Sequence, residues 1–174
     1  MGKTLLSIEN LTVSYGKETA LSIERPITIE EGDRIGIIGS NGAGKTTLIK
    51  SILGLVKYQG NIYTSLTPEM IATHMQSNEY TDAMAVRHIM EAVLGTKISK
   101  NKKLKELISY FEFEGCLKKK YKHLSGGQKQ RFTIIMVMMQ DLPLTFYDEV
   151  TSGLDFETRQ KLVEKLAAWY KDKD

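Results

Sequence analysis

The residues best equipped for chemistry stand in one run, Gly39-Ser40-Asn41-Gly42-Ala43-Gly44-Lys45-Thr46. The run satisfies G-x-x-x-x-G-K-[ST] at every fixed position. Glycines let a backbone curl tightly and leave room for a phosphate to lie against it. The curled N–H groups, with a helix N-terminus behind them, offer donors and partial positive charge to an anion. Lys45 adds a full charge for the β- and γ-phosphates, and Thr46 offers a hydroxyl to Mg²⁺. The flanks give the pattern its weight. Residues 34–38, Arg-Ile-Gly-Ile-Ile, read as a short buried central strand, and residues 47–53, stopped by Gly54, read as a helix.

Asp148 and Glu149 end the apolar run 142–147, which reads as a strand. Open α/β sheets seat their ligands at the C-terminal ends of strands. A carboxylate there holds Mg²⁺, directly or through water, and its neighbour can orient and deprotonate an attacking water. A third constellation is Leu124-Ser125-Gly126-Gly127-Gln128. Ser125 and Gln128 have the S-x-x-Q form of a capping box, so a helix is expected to start here. A hydroxyl and two glycines at a helix start make a second anion-binding arrangement. One phosphate loop is already present, so this segment is expected to complete the site of a second molecule, with a γ-phosphate between them.

The elements that must position these groups follow from the rest of the chain. Its 174 residues allow one good core and a small appended lobe. Strands are expected over residues 4–13, with a bend near Glu9-Asn10, and over 20–23, 27–29, 60–65 and 70–75, with a turn at Tyr15-Gly16. From Thr81 the period becomes helical. Val86, Ile89, Met90, Val93 and Leu94 mark one face, and Leu104, Leu107, Ile108 and Phe111 a second, so residues 77–123 read as a helical insertion. The helix from Ser125 runs through Met-rich residues 136–139, which read as core packing. Asp155 is placed to cap a last helix whose apolar face is Leu162, Val163, Leu166, Ala167, Trp169 and Tyr170.

Composition narrows the classes. A net charge of +3 is too small to argue for nucleic acid, and Lys102-Lys103 and Lys118-Lys119-Lys120 read as solvated helix faces. The lone Cys116 excludes an internal disulfide or multi-cysteine metal site and reads as a small buried or half-buried apolar residue. His74, His88 and His123 have no metal-ligand spacing. The apolar runs are far shorter than a membrane span, and the N-terminus has no signal-peptide pattern.

Together, residues 39–46 resemble a Walker A loop, 124–128 the ABC signature, and 144–149 a Walker B strand with its catalytic Glu. Their order and spacing resemble the nucleotide-binding (ATPase) domain of ABC transporters over essentially the whole chain. That resemblance implies an α/β fold: a P-loop NTPase core, a small antiparallel β subdomain and an inserted helical subdomain, divided at residues 1–76, 77–135 and 136–174. It implies ATP and Mg²⁺ as cofactors. By the same resemblance Tyr15 stacks on adenine, and Gly39, Ser40, Asn41, Gly42, Ala43, Gly44, Lys45, Thr46 and Thr47 bind the nucleotide. Thr46, Gln76 of the Q-loop and Asp148 face the metal, while Glu149 is the catalytic base, with Lys45 beside the reacting phosphate. Ser125, Gly126, Gly127 and Gln128 act on the ATP of a partner, and Ser152-Gly153-Leu154-Asp155 matches the D-loop.

The implied activity is ATP hydrolysis coupled to transport. The implied partners are a second ABC ATPase subunit and an integral membrane permease, not nucleic acid, with the chain held at the cytoplasmic face through the permease. Two other readings stay open: an ATP-binding fragment without turnover, and a soluble ABC protein acting on ribosomes. A chromosome-maintenance ATPase would need a long coiled coil between Gln76 and Leu124, where there is no room. The chain departs from the family in several places. Val150 stands where Pro is usual, Thr145 and Tyr147 make the Walker B strand less aliphatic, and the stretch from Lys45 to Gln76 is short. No residue matches the switch histidine. The C-terminal strands of the sheet are therefore expected to be missing, leaving apolar surface exposed or covered by association.

Overall fold

The computed structural model describes residues 2–74, 83–148 and 154–171. The chain forms two compact units: residues 1–72 with 142–148, and residues 73–141 with 149–174.

In the first unit, β1 (Thr4–Tyr15) pairs antiparallel with β2 (Glu18–Ile23), β3 (Ile27–Glu30) and β4 (Gln59–Thr64). Leu6 and Ile8 are buried in the first half of β1, Leu11 and Val13 in the second. A period-2 strand can change parity only by gaining a residue. The gain falls at Asn10, with φ of 50°, where the register against β4 shifts between Glu9 and Thr12. This is the expected bend. Gly60 opposite it has φ of 96°, and a Cβ there would collide with the Asn10 carbonyl oxygen. The helix α1 (Lys45–Ile52) adds Leu48 and Ile52 to a core of Leu6, Ile8, Leu11, Ile71 and Leu144. Each fully buried aliphatic side chain is worth about 1.5–3 kcal/mol. This core carries α1, and with it the phosphate loop. The strands β5 (Ile71–His74) and β6 (Leu144–Tyr147) bond to each other.

The predicted central strand over residues 34–38 is not formed: the segment makes no ladder among the described residues. Ile35 and Ile37 are about half exposed and Ile38 is 99% exposed. They rim a cavity of about 230 Å³ that is also lined by Ile8, Leu21 and Ile23. A strand apolar on both faces needs bonded neighbours and cover on each side. The described strands pair with one another and offer this segment neither.

The second unit contains α2 (Val86–Val93), α3 (Lys102–Tyr110), α4 (Gly126–Met138) and α5 (Phe156–Lys171). Val86, Met90, Leu104, Leu107, Phe111 and Phe132 are among its buried residues, and the predicted faces of α2 and α3 match except at exposed Val93. Tyr121 meets Phe132 edge-on at 5.4 Å between ring centres. Asn101 caps α3 by accepting from the Leu104 N–H at 2.9 Å. Every residue of α4 from Phe132 to Met138 is buried, as core packing of the methionines predicts, and Cys116 is buried too. In α5 the predicted face is too wide. Leu162 and Trp169 are buried, but Val163 and Ala167 are exposed. On a 3.6-residue period, residues 163 and 167 lie about 100° round from 162 and 166, off the stripe that meets α3. No described helix is long and apolar enough to cross a membrane.

Candidate functional site

The phosphate loop turns directly into α1. Gly39, Ser40, Asn41, Gly42 and Ala43 are exposed, while Lys45, Thr46 and Thr47 are half-buried. Gly44 has φ of 86°, and a Cβ there would stand 2.6 Å from the Ala20 carbonyl oxygen and 3.1 Å from Leu21. Backbone angle and space both require glycine at this position. Gly44 is also the N-cap of α1 and gives it no side-chain cap. The donors of that first turn thus remain for an anion. Ala43 donates its N–H to the Ser40 carbonyl at 3.2 Å, closing the loop. Lys45 curls back over it, its Nζ donating to the carbonyls of Gly39 and Ser40, each at 2.8 Å. The ammonium therefore stands at the mouth of the loop.

Thr46 and Asp148 are 102 residues apart in sequence and meet here. The Thr46 hydroxyl donates to Asp148 Oδ2 at 2.6 Å. Asp148 follows directly on β6 and is only 6% exposed. A hydroxyl and a carboxylate are hard oxygen donors, and Mg²⁺ takes one or two protein oxygens while phosphates and water fill its shell. The residues present fit that ion.

Tyr15 is exposed at the end of β1, opposite Glu18 of β2. Glu18 is two residues, about 7 Å along a strand, from Ala20, whose carbonyl lies against Gly44. Gln76, Glu149, Ser152 and Gly153 lie outside the described residues.

In the second unit both halves of the capping box are made. Gln128 donates its N–H to Ser125 Oγ at 3.3 Å, and Ser125 donates its N–H to Gln128 Oε1 at 3.1 Å. Neither Gly126 nor Gly127 has a positive φ. A Cβ on Gly126 would meet nothing within 4 Å, and one on Gly127 would make ordinary contacts with Leu154 at 3.5 Å and Thr158 at 3.7 Å. Among the described residues, nothing asks for glycine at either position. Asp155 caps α5, Oδ1 accepting the Thr158 N–H at 3.0 Å. Hydrogen bonds from Thr158, side chain first, hold the Asp155 carboxyl below its ordinary value.

Sequence reasoning missed a joint between Tyr110, Glu112, Arg131 and Lys165, in which the Tyr110 hydroxyl donates to the Lys165 carbonyl at 2.8 Å. Tyr110 and Lys165 are 55 residues apart, and no local pattern pairs them.

The family profile for "ABC transporter" matches residues 10–152. A Methanosarcina mazei protein assigned as an ABC transporter ATP-binding protein is 31% identical over 178 residues, covering 93% of this chain and 36% of its own length. The nickel import system ATP-binding protein NikE of Staphylococcus aureus is 30% identical over 172 residues, covering 94% of this chain and 74% of its own length. Among solved structures, cbiO1 from Clostridium perfringens, part of the ABC transporter complex cbiONQ, superposes with a TM-score of 0.78 at 25% identity. That match covers 98% of this chain and 75% of cbiO1. The chain thus spans about a third of one relative and three quarters of the others. Its phosphate loop, capped Ser125 helix and Thr46–Asp148 pair sit in an ABC ATPase fold, and the chain belongs to the ABC transporter family of ATP-binding proteins.

Proposed function

We propose that this chain binds ATP with Mg²⁺ at residues 39–47 and Asp148. In this reading it hydrolyses ATP at the interface with a second ABC ATPase subunit, and closure of the pair drives a separate membrane permease. The observation that carries the reading is the 2.6 Å hydrogen bond between Thr46 and Asp148. It supports a metal position beside the loop whose lysine already faces the mouth.

In this reading Lys45 leaves the carbonyls of Gly39 and Ser40 for the β- and γ-phosphates, and the loop N–H groups share the charge that develops in the transition state. Mg²⁺, when bound, neutralises charge on the β- and γ-oxygens. Tyr15 lies under the adenine. Glu149 takes the proton of the attacking water, and Gln76 faces the metal and the permease side. The partner's segment equivalent to Ser125, Gly126, Gly127 and Gln128 closes the cage on the γ-phosphate. The two glycines support that assignment, because they are bare where the described residues leave room for a side chain.

The test is ATP turnover and nucleotide binding by the purified chain beside Glu149→Gln. Turnover in the wild type with binding alone in the variant is the expected result. Binding in both with turnover in neither would make the chain an ATP-binding fragment. Binding in neither would overturn the reading.

A further inference from the structure

Tyr110, at the end of α3, and Lys165, in α5, exchange two hydrogen bonds. The Tyr110 hydroxyl donates to the Lys165 carbonyl at 2.8 Å, and Lys165 Nζ donates to the Tyr110 carbonyl at 3.0 Å. The same ammonium pairs with Glu112 and stands 5.8 Å from the centre of the Tyr110 ring. Trp169, one turn further along α5, meets Tyr110 edge-on at 5.1 Å. Arg131 ties α4 to the same place, its Nη1 donating to the Phe111 carbonyl at 3.2 Å. The helices α3, α4 and α5 are thus joined at residues 110–112.

The joint matters because the packing of α4 against α5 is interrupted nearby. A cleft of about 300 Å³ opens beside this contact, lined by Gly127, Arg131, Thr158, Lys161 and Leu162. Close-packed side chains fix the distance between helices, and an open cleft does not. Arg131 is one turn from Gly127, and Lys165 about two turns from Thr158. Between them they decide how the first turns of α4 and α5 face each other. Gly127 looks onto Leu154 and Thr158 at the start of α5.

We propose that Tyr110 and Lys165 are positioning residues for the Ser125–Gln128 segment. They hold it at a set distance from residues 154–158 and thereby set the rate of turnover, without touching nucleotide. The proposal rests on the reading that this segment acts on a partner's ATP.

The test compares wild type with Lys165→Met, which keeps the aliphatic stem, Lys165→Arg, which keeps the charge, and Tyr110→Phe, which removes only the hydroxyl. Trp169, the single tryptophan, reports the joint by its emission. In Lys165→Met we expect red-shifted emission and amide exchange about tenfold faster at the bonded N–H groups of residues 128–129 and 158–159, with residues 48–52 unchanged. We expect kcat to fall about ten- to a hundredfold, with KM and nucleotide affinity held within about twofold. Lys165→Arg is expected to restore most of the loss, and Tyr110→Phe to show the same changes at smaller size should Lys165→Met fail to fold. Shifted Trp169 emission with unchanged exchange at residues 128–129 overturns the proposal, as does faster exchange there with unchanged kcat. If wild type neither turns over ATP nor associates with it, the proposed function fails. The exchange measurement then decides alone whether the joint positions the segment.

Discussion

At Gly44 the chain's own backbone excludes a side chain, since a Cβ would stand 2.6 Å from the Ala20 carbonyl oxygen at a φ of 86°. At Gly127 it does not, since the nearest side-chain atom would be 3.5 Å away and the backbone is that of α4. Alanine therefore acts in opposite directions at the two sites. Gly44→Ala meets a left-handed backbone penalty of about 1–2 kcal/mol besides the clash, and both stability and nucleotide binding are expected to fall. Gly127→Ala removes a helix-breaking residue and gains up to about 1 kcal/mol. Its thermal midpoint is expected to stay or rise, and its nucleotide binding to stay, while ATP turnover and ATP-dependent association drop. Thermal melting, nucleotide titration and turnover on the two variants check this. Wild-type turnover in Gly127→Ala would mean that nothing outside the chain approaches that glycine. Thr46 and Asp148 are the complementary case, where side chains from distant parts of the sequence are brought to 2.6 Å.

At the scale of an element, the helix starts carry the polar geometry. Asp155 accepts the Thr158 N–H, and its carboxyl lies below its ordinary value chiefly through the Thr158 side chain. A carboxylate whose folded pKa is depressed adds stability above its unfolded pKa and loses it as pH falls through the folded value. The difference in melting midpoint between wild type and Asp155→Ala is therefore expected at neutral pH and should shrink below about pH 4. A gap that persists undiminished in acid would mean that the uncharged cap, not the carboxylate, supports α5. Both starts were legible in the sequence because a cap is local: Ser125 and Gln128, like Asp155 and Thr158, are three residues apart. The α5 face was only half legible. Periodicity identified Leu162 and Trp169 but not which neighbours would be covered, and Val163 and Ala167 remain exposed. The Tyr110–Lys165 joint was not legible at all, because its partners belong to different helices 55 residues apart.

At the scale of the molecule, the turn of residues 39–44 into the helix α1 was legible, but the support of residues 34–38 was not. Five residues, four of them apolar or glycine, read as an interior strand because interior parallel strands are apolar on both faces. A strand is made by its neighbours, however, and those lie elsewhere in the sequence. Among the described strands none bonds to this segment, and Ile38 is 99% exposed where Leu6 of β1 is fully buried. Ile35, Ile37 and Ile38 together form an exposed apolar strip, which in water favours self-association. Ile38→Lys separates the two states of this segment. In the structure described, the substitution places a charge in solvent, so unfolding free energy should change by no more than about 0.5 kcal/mol. Self-association measured by light scattering should fall. Leu6→Ala, in the core, should cost about 2–5 kcal/mol and calibrates the same denaturation assay. A loss of several kcal/mol in Ile38→Lys would instead place a buried, unpaired ammonium at this position. Residues 34–38 would then be covered in solution, by a second copy or by further chain, and the interior strand read from the sequence would be the state that functions.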